Sequence, residues 1–165
     1  MAFDAFLKVD TIPGETTDDK HKDWIEILSY SMGVSQSAAG SRSSGGAAAA
    51  ERCNHADFSI VHTLDKASPK FFFACCKGEH ITNVKIELCR ATGDKSKYMQ
   101  YNMSDVFVSS VRPGGSAQGG ESLPLEEVSF NYGKIELIYT GTDHKTGKTM
   151  GDVKTFWSQV ENKGG

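Results

Sequence analysis

The chain has 165 residues, 17.9 kDa, 18 basic and 21 acidic side chains, a net charge of -3, 38% hydrophobic residues and a mean hydropathy of -0.39. That length suits a single domain over residues 1-165 with a sizeable core, and no run nears the roughly 18 apolar residues a membrane helix needs, so membrane insertion is not expected. A slightly acidic balance, with no basic cluster interleaved by aromatics, leaves nothing to attract a nucleic acid.

In chain order, the opening Met1-Ala2-Phe3-Asp4-Ala5-Phe6-Leu7-Lys8 alternates as a strand over 2-9 and lacks the basic start and apolar run of a secretory signal. Synthesis and folding in the cytoplasm are expected. A second strand is predicted over 24-31, and from Met32 to Cys53 the composition changes to serine, glycine and alanine. Such a segment has little apolar area to offset its ordering entropy. As an extended loop over about 33-53 it reads equally as a docking arm or as a floppy insertion. A strand over 57-64 then leads to the one convincing helix, about 69-77, with Ser68 as its cap, Pro69 in its first turn and Lys77-Gly78 as its stop. On that helix Phe71 and Cys75 share one face, Phe72 and Cys76 another, and Phe73 points a third way. So short a helix needs packing, either across a barrel end or against a sheet.

Further strands are predicted over 81-90, 97-101, 105-111, 125-132, 134-140 and 152-157. In the most strongly patterned stretch, Val128, Phe130 and Tyr132 share one face while Glu127, Ser129 and Asn131 take the other. Gly133 marks a bulge that resets the faces before Ile135, Leu137 and Tyr139. Asn162-Lys163-Gly164-Gly165 reads as a frayed tail.

Chemistry is scarce in this pattern. The histidines at 21, 55, 62, 80 and 144 form no His-Glu-x-x-His pair, no thiols occur at zinc-finger spacing, and there is neither a nucleophile elbow nor a Walker loop. His62 is expected to be a packed or rim histidine. Cys53, Cys75, Cys76 and Cys89 are expected as free thiols. No catalytic residue, metal or cofactor is predicted, and the chain reads as a protein built to present surfaces. Without further information, a solitary ligand-binding barrel lidded by the glycine-rich segment is the competing reading.

The blocks Asp4-Ala5-Phe6-Leu7-Lys8-Val9, Gly14-Glu15, His21, Trp24-Ile25-Glu26-Ile27, Ser29-Tyr30-Ser31-Met32-Gly33 and Ser35-Gln36 carry a resemblance. It continues through Asp65-Lys66-Ala67-Ser68-Pro69, Cys76-Lys77-Gly78, Ile86-Glu87-Leu88-Cys89-Arg90, Asp105-Val106 and Val128-Ser129-Phe130-Asn131-Tyr132-Gly133-Lys134-Ile135. In order and spacing across about residues 1-140, this pattern resembles the haemolysin-coregulated protein family, Hcp, the tube component of bacterial type VI secretion.

The resemblance implies a mainly β fold: a compact β-barrel of two packed antiparallel sheets with one short flanking α-helix and a long extended loop. It implies hexameric rings that stack into a tube, with no catalytic role. Implied partners are the chain itself, a spike protein, a contractile sheath and small effector proteins held in the ring lumen. The protein would be cytoplasmic before firing and extracellular or inside a target cell afterwards. Ser31 matches a position that lines the lumen and affects cargo. Candidates for contact between subunits are Gly33, Gln36, Gly45 and Gly46 of the arm and Tyr132 of the long strand. At Leu137 the resemblance leads one to expect an aromatic side chain. The chain is expected to be the short tube type without a fused toxin domain.

Overall fold

The computed structural model describes residues 2–39, 49–50, 52–93, 95–118, 120 and 123–165. In chain order the strands are β1 (Phe3–Val9), β2 (Ile25–Ile27), β3 (Ser29–Ser31), β4 (Val34–Ser35), β5 (Ala38–Ala39), β6 (Ala49–Ala50), β7 (Asn54–His55) and β8 (Phe58–Thr63). Helix α1 (Ser68–Lys77) follows, and then β9 (Ile81–Arg90), β10 (Lys97–Gly114), β11 (Leu125–Thr142), β12 (Thr149–Ser158) and β13 (Lys163–Gly164).

Two long strands organise everything else. β10 and β11 pair antiparallel along their length, from Met99↔Tyr139 to Gly114↔Leu125. The first half of β10 pairs with β9, while β11 pairs with β8 over its first half and with β12 over its second. The two strands therefore belong to two antiparallel half-sheets at once. The circuit closes through residues 25–31, because β2 pairs with β1 and β3, just beyond it, pairs with β8. With β1 on β9, the result is a barrel of the expected class, its interior filled by Phe58, Ile60, Ile86, Met103, Phe130 and their neighbours.

The long strands change face at one level. On β11 the buried apolar residues are Val128, Phe130 and Tyr132 before Gly133 and Ile135 after it; on β10 they are Val108 and Val106, then Met103 and Tyr101. Asp105, opposite, has a left-handed φ of 53°, and a Cβ on Gly133 would come within 3.0 Å of the Asp105 Cβ. Gly133 thus resets the faces as anticipated, but by a paired change in both strands rather than by a bulge. The register shift falls instead between Val108 and Ser110. The alternation breaks at this level in both strands, and for that reason each reads locally as two short segments (97-101 with 105-111, and 125-132 with 134-140). Leu137 is half-buried against the core.

Helix α1 packs against β10. Phe71 is buried, with its ring 5.8 Å from His62 and 5.9 Å from Phe130, whereas Phe72 and Phe73 point outward. Its start corrects the sequence reading: Ala67, not Ser68, is the cap residue and makes no side-chain cap bond. The Ser68 hydroxyl instead accepts from the Asp65 N–H at 3.1 Å, and Asp65 Oδ1 accepts from the Ala67 N–H at 2.9 Å. The carboxylate two residues upstream turns the chain into the helix and leaves the serine occupied. The end follows expectation: Gly78, left-handed at φ 66°, donates to the Cys75 carbonyl while Glu79 donates to that of Ala74. Cys75 packs against the core and Cys76 is exposed.

The C-terminus is also corrected, since it is paired rather than frayed. Gly164 and Lys163 pair with Trp157 and Ser158, and the Phe156 N–H donates to the Gly165 carbonyl at 2.9 Å. Only a glycine fits there, because a Cβ on Gly164 would stand 2.4 Å from the Phe156 carbonyl oxygen.

His62 is wholly buried, with Nε2 2.8 Å from Glu126 Oε1 and Nδ1 3.8 Å from Asp65 Oδ2. Burial pushes its pKa down, but the two carboxylates outweigh this and raise it, Asp65 acting by charge at a separation too long for a hydrogen bond.

Candidate functional site

The two candidate surfaces are the outward face of β3, β8, β11 and β10, and the arm that leaves the barrel after β3. On β8 the buried residues are Phe58, Ile60 and His62, so Ser59 and Val61 face outward; on β11 the inward Val128 and Phe130 leave Glu127, Ser129 and Asn131 on that same outer face. Register aligns the outward residues. Ser31 stands opposite Ser59, Ser59 opposite Ser129, and Ser129 opposite Ser110, a row of four serines at one level across four neighbouring strands. The Ser59 and Ser129 hydroxyls lie 2.8 Å apart.

The bulge on β10 completes the row. It admits Ser109, whose hydroxyl donates to Asp57 Oδ2 at 2.7 Å, while Asn131 Nδ2 donates to Asp57 Oδ1 at 3.0 Å. Both oxygens of Asp57 are thereby engaged, the hydroxyls of Ser59, Ser109 and Ser129 are hydrogen-bonded, Ser129 is buried beneath the face, and Ser31 is exposed at its edge. Such a wall can exchange hydrogen bonds with a protein surface, with Phe107, 44% exposed and paired with Asn131, as its large apolar member.

The segment that read as arm or floppy insertion is a narrow antiparallel ribbon in its described parts. Val34 pairs with His55 and Ser35 with Asn54; farther out, Ala38 pairs with Ala50 and Ala39 with Ala49. Its root is clamped to the barrel. The Gly33 carbonyl accepts from the Ala56 N–H at 2.9 Å, and His55 Nδ1 lies 2.9 Å from the Tyr132 hydroxyl. Burial lowers the pKa of His55 and pushes the Tyr132 hydroxyl up to about 12.

The structure therefore brings two of the predicted contact residues to one place: Gly33 at the arm root and Tyr132 beneath it. The Tyr132 side chain is a core residue, 2% exposed, and reaches the arm only through His55. Gln36 sits farther out on the arm and is exposed; Gly45 and Gly46 lie outside the described residues. Ser59, Ser110, Ser129 and the clamp residue His55 escaped the sequence reading. Each is visible as a polar member of a strand, but only the register between distant strands places them together.

Among known proteins, the family described as "Type VI secretion system effector, Hcp" matches residues 6–139. The chain is 34% identical over 163 residues to "Protein hcp1" of Pseudomonas aeruginosa, covering 98% of each chain. It resembles a solved "type six secretion system protein" at 32% identity and a TM-score of 0.92, covering 99% of this chain and 100% of that one. It also resembles Hcp1 from Salmonella typhimurium at 30% identity and a TM-score of 0.81, with 99% of each covered. With a family match over most of its length and relatives of the same fold end to end, the chain belongs to the Hcp family of the type VI secretion system.

Proposed function

We propose that this protein is a structural tube component rather than an enzyme: it closes into hexameric rings that stack, is exported behind a spike within a contractile sheath, and carries small effector proteins in the lumen. The observation that carries this reading is the arm. An isolated two-stranded ribbon is marginal in water, and here Val34 is 56% exposed on a ribbon built largely of small residues. A neighbouring subunit supplies the missing surface, with Gly33, Gly45 and Gly46 allowing close approach and Gln36 offering a polar contact. Repeating one such heterologous contact closes a ring, and a second repeated contact stacks rings.

The serine face supports the luminal part of the reading, with Ser31 at the position where cargo is held. The protein is cytoplasmic before firing and outside the producing cell afterwards. A solitary ligand-binding barrel is not favoured, since Phe58, Ile60, Met103 and Phe130 occupy the interior that such a ligand would need. The test is Ser31→Gln: light scattering should show hexamers intact while co-purification of effectors falls. Cargo retained in intact rings would reject the luminal role of Ser31, and a wild-type chain that stays monomeric at high concentration would reject the tube.

A further inference from the structure

A second buried cluster lies outside the barrel, on the face of β1 and β9 turned away from the core. Phe6 is the register partner of Glu87, and Asp4 that of Cys89, so these four project to one side. The segment between β1 and β2 covers them with His21. Its ring stacks on Phe6 at a centroid distance of 4.1 Å and an interplanar angle of 8°, and meets Trp24 edge-on at 4.8 Å. Nδ1 lies 2.7 Å from Asp18 Oδ2, Nε2 lies 2.7 Å from Glu87 Oε2, and Cys89 Sγ is 4.0 Å from that same Nε2. His21 is 3% exposed and Cys89 is wholly buried.

Packing alone does not call for a thiol and a carboxylate converging on one imidazole nitrogen. One donor atom each from His21, Glu87 and Cys89 falls within 4.8 Å of the others, wider than the roughly 3.3–3.8 Å between tetrahedral ligands at bond lengths of about 2.0–2.3 Å, so an ion would draw the three donors together by up to about 1 Å. Asp18 stands behind the imidazole on its other nitrogen, the arrangement that fixes the tautomer and orientation of a metal-bound histidine. Beside the cluster is a surface cavity of about 270 Å³ whose lining includes the carboxylates of Asp4, Asp18 and Glu26 against the one ammonium of Lys95. Among the described residues these carboxylates outnumber the cations, although Lys95 is paired with Asp18 and Lys97 Nζ stands 3.8 Å from Glu87 Oε1, so an entering cation competes with both ammonium groups.

We propose that His21 Nε2, the Glu87 carboxylate and Cys89 Sγ bind a divalent ion of the zinc class, with Asp18 as a positioning residue and water from the cavity completing the coordination. Nitrogen, oxygen and sulfur donors together suit zinc rather than magnesium or calcium. Binding replaces the hydrogen bond between His21 and Glu87: the proton between them and the Cys89 thiol proton leave for solvent, and three bonds to the ion form. The ion would pin the segment between β1 and β2 to the outside of the barrel. This inference does not depend on the tube reading.

The test uses the full chain with Cys53, Cys75 and Cys76 replaced by serine, so that Cys89 is the only thiol. Titration with cobalt(II) alone should give one equivalent bound per chain, with a sulfur-to-cobalt charge-transfer absorption that zinc(II) abolishes. Asp18→Asn should weaken zinc binding by about 10–100-fold, and Cys89→Ser should remove the sulfur absorption and weaken binding further. No sulfur absorption, or zinc affinity unchanged in Cys89→Ser, would overturn the proposal. Should Cys89→Ser fail to fold, the zinc X-ray absorption spectrum of the parent decides: sulfur with nitrogen in the coordination sphere supports the site, and oxygen and nitrogen without sulfur overturns it.

Discussion

Replacing His62 by leucine should be among the most damaging single changes in the barrel, and for an electrostatic reason. His62 is 0% exposed and its partner Glu126 2%, with 2.8 Å between Nε2 and Oε1. Leucine keeps the volume and the contact with Phe71 but strands a carboxylate in the core. Removing one member of a buried pair costs about 3–5 kcal/mol, which at roughly 2–4 °C per kcal/mol for a chain of this size lowers Tm by about 6–20 °C. Glu126→Gln is the milder control, because it leaves an acceptor for the imidazole and no orphaned charge, at about 1–2 kcal/mol. The pH dependence has a definite sign. The pKa of His62 is raised in the folded state, so its contribution is complete below the unfolded value of about 6.5 and is lost as pH rises through the folded value. The gap between wild type and the double variant His62→Leu/Glu126→Gln, in which no carboxylate is stranded, should therefore be widest in mild acid and narrow toward alkaline pH. Urea unfolding of these chains at one protomer concentration across this range is the assay. A cost below about 1 kcal/mol for His62→Leu, or a gap to the double variant that widens with rising pH, would refute the reasoning.

Gly164→Ala should unpair β13, since its Cβ would fall 2.6 Å from the Trp157 ring, and destabilise by about 1–3 kcal/mol; a red-shifted tryptophan emission would report it, and unchanged emission and stability would contradict the paired terminus. Alkylation of the native protein should label Cys76 first and Cys75 more slowly, while Cys89, buried and with its thiol pushed up to about 11 by burial and the nearby carboxylates, reacts only on unfolding. Early modification of Cys89, read by mass spectrometry, would mean that the segment between β1 and β2 opens readily.

What the sequence disclosed was local. The strand at 81–90 is framed by the helix stop and carries its own apolar pattern, and the helix from Ser68 to Lys77 announces itself by proline, glycine and a terminal lysine. Face alternation around Phe130 also reads directly. What stayed hidden depends on partners far along the chain. The paired change of face at Asp105 and Gly133 mimics a break in each strand when either is read alone, and the alanines of the arm carry no sign that they pair. The short tail, rich in glycine, looks unstructured until β12 supplies its partner. Ser31 is marked by the resemblance, but Ser59, Ser110 and Ser129 carry no signal one by one, and His21, Glu87 and Cys89 show no ligand spacing because β1, β9 and the segment after β1 bring them together only in the folded chain.

Electron-microscopic reconstruction of the purified wild-type chain at high concentration tests the central claim most directly. The account predicts rings of six subunits, each arm lying on its neighbour and the outer face of β3, β8, β11 and β10 turned inward, so that Ser31 repeats around the hole. Dispersed monomers, or rings with that serine face turned to the outside, would contradict it.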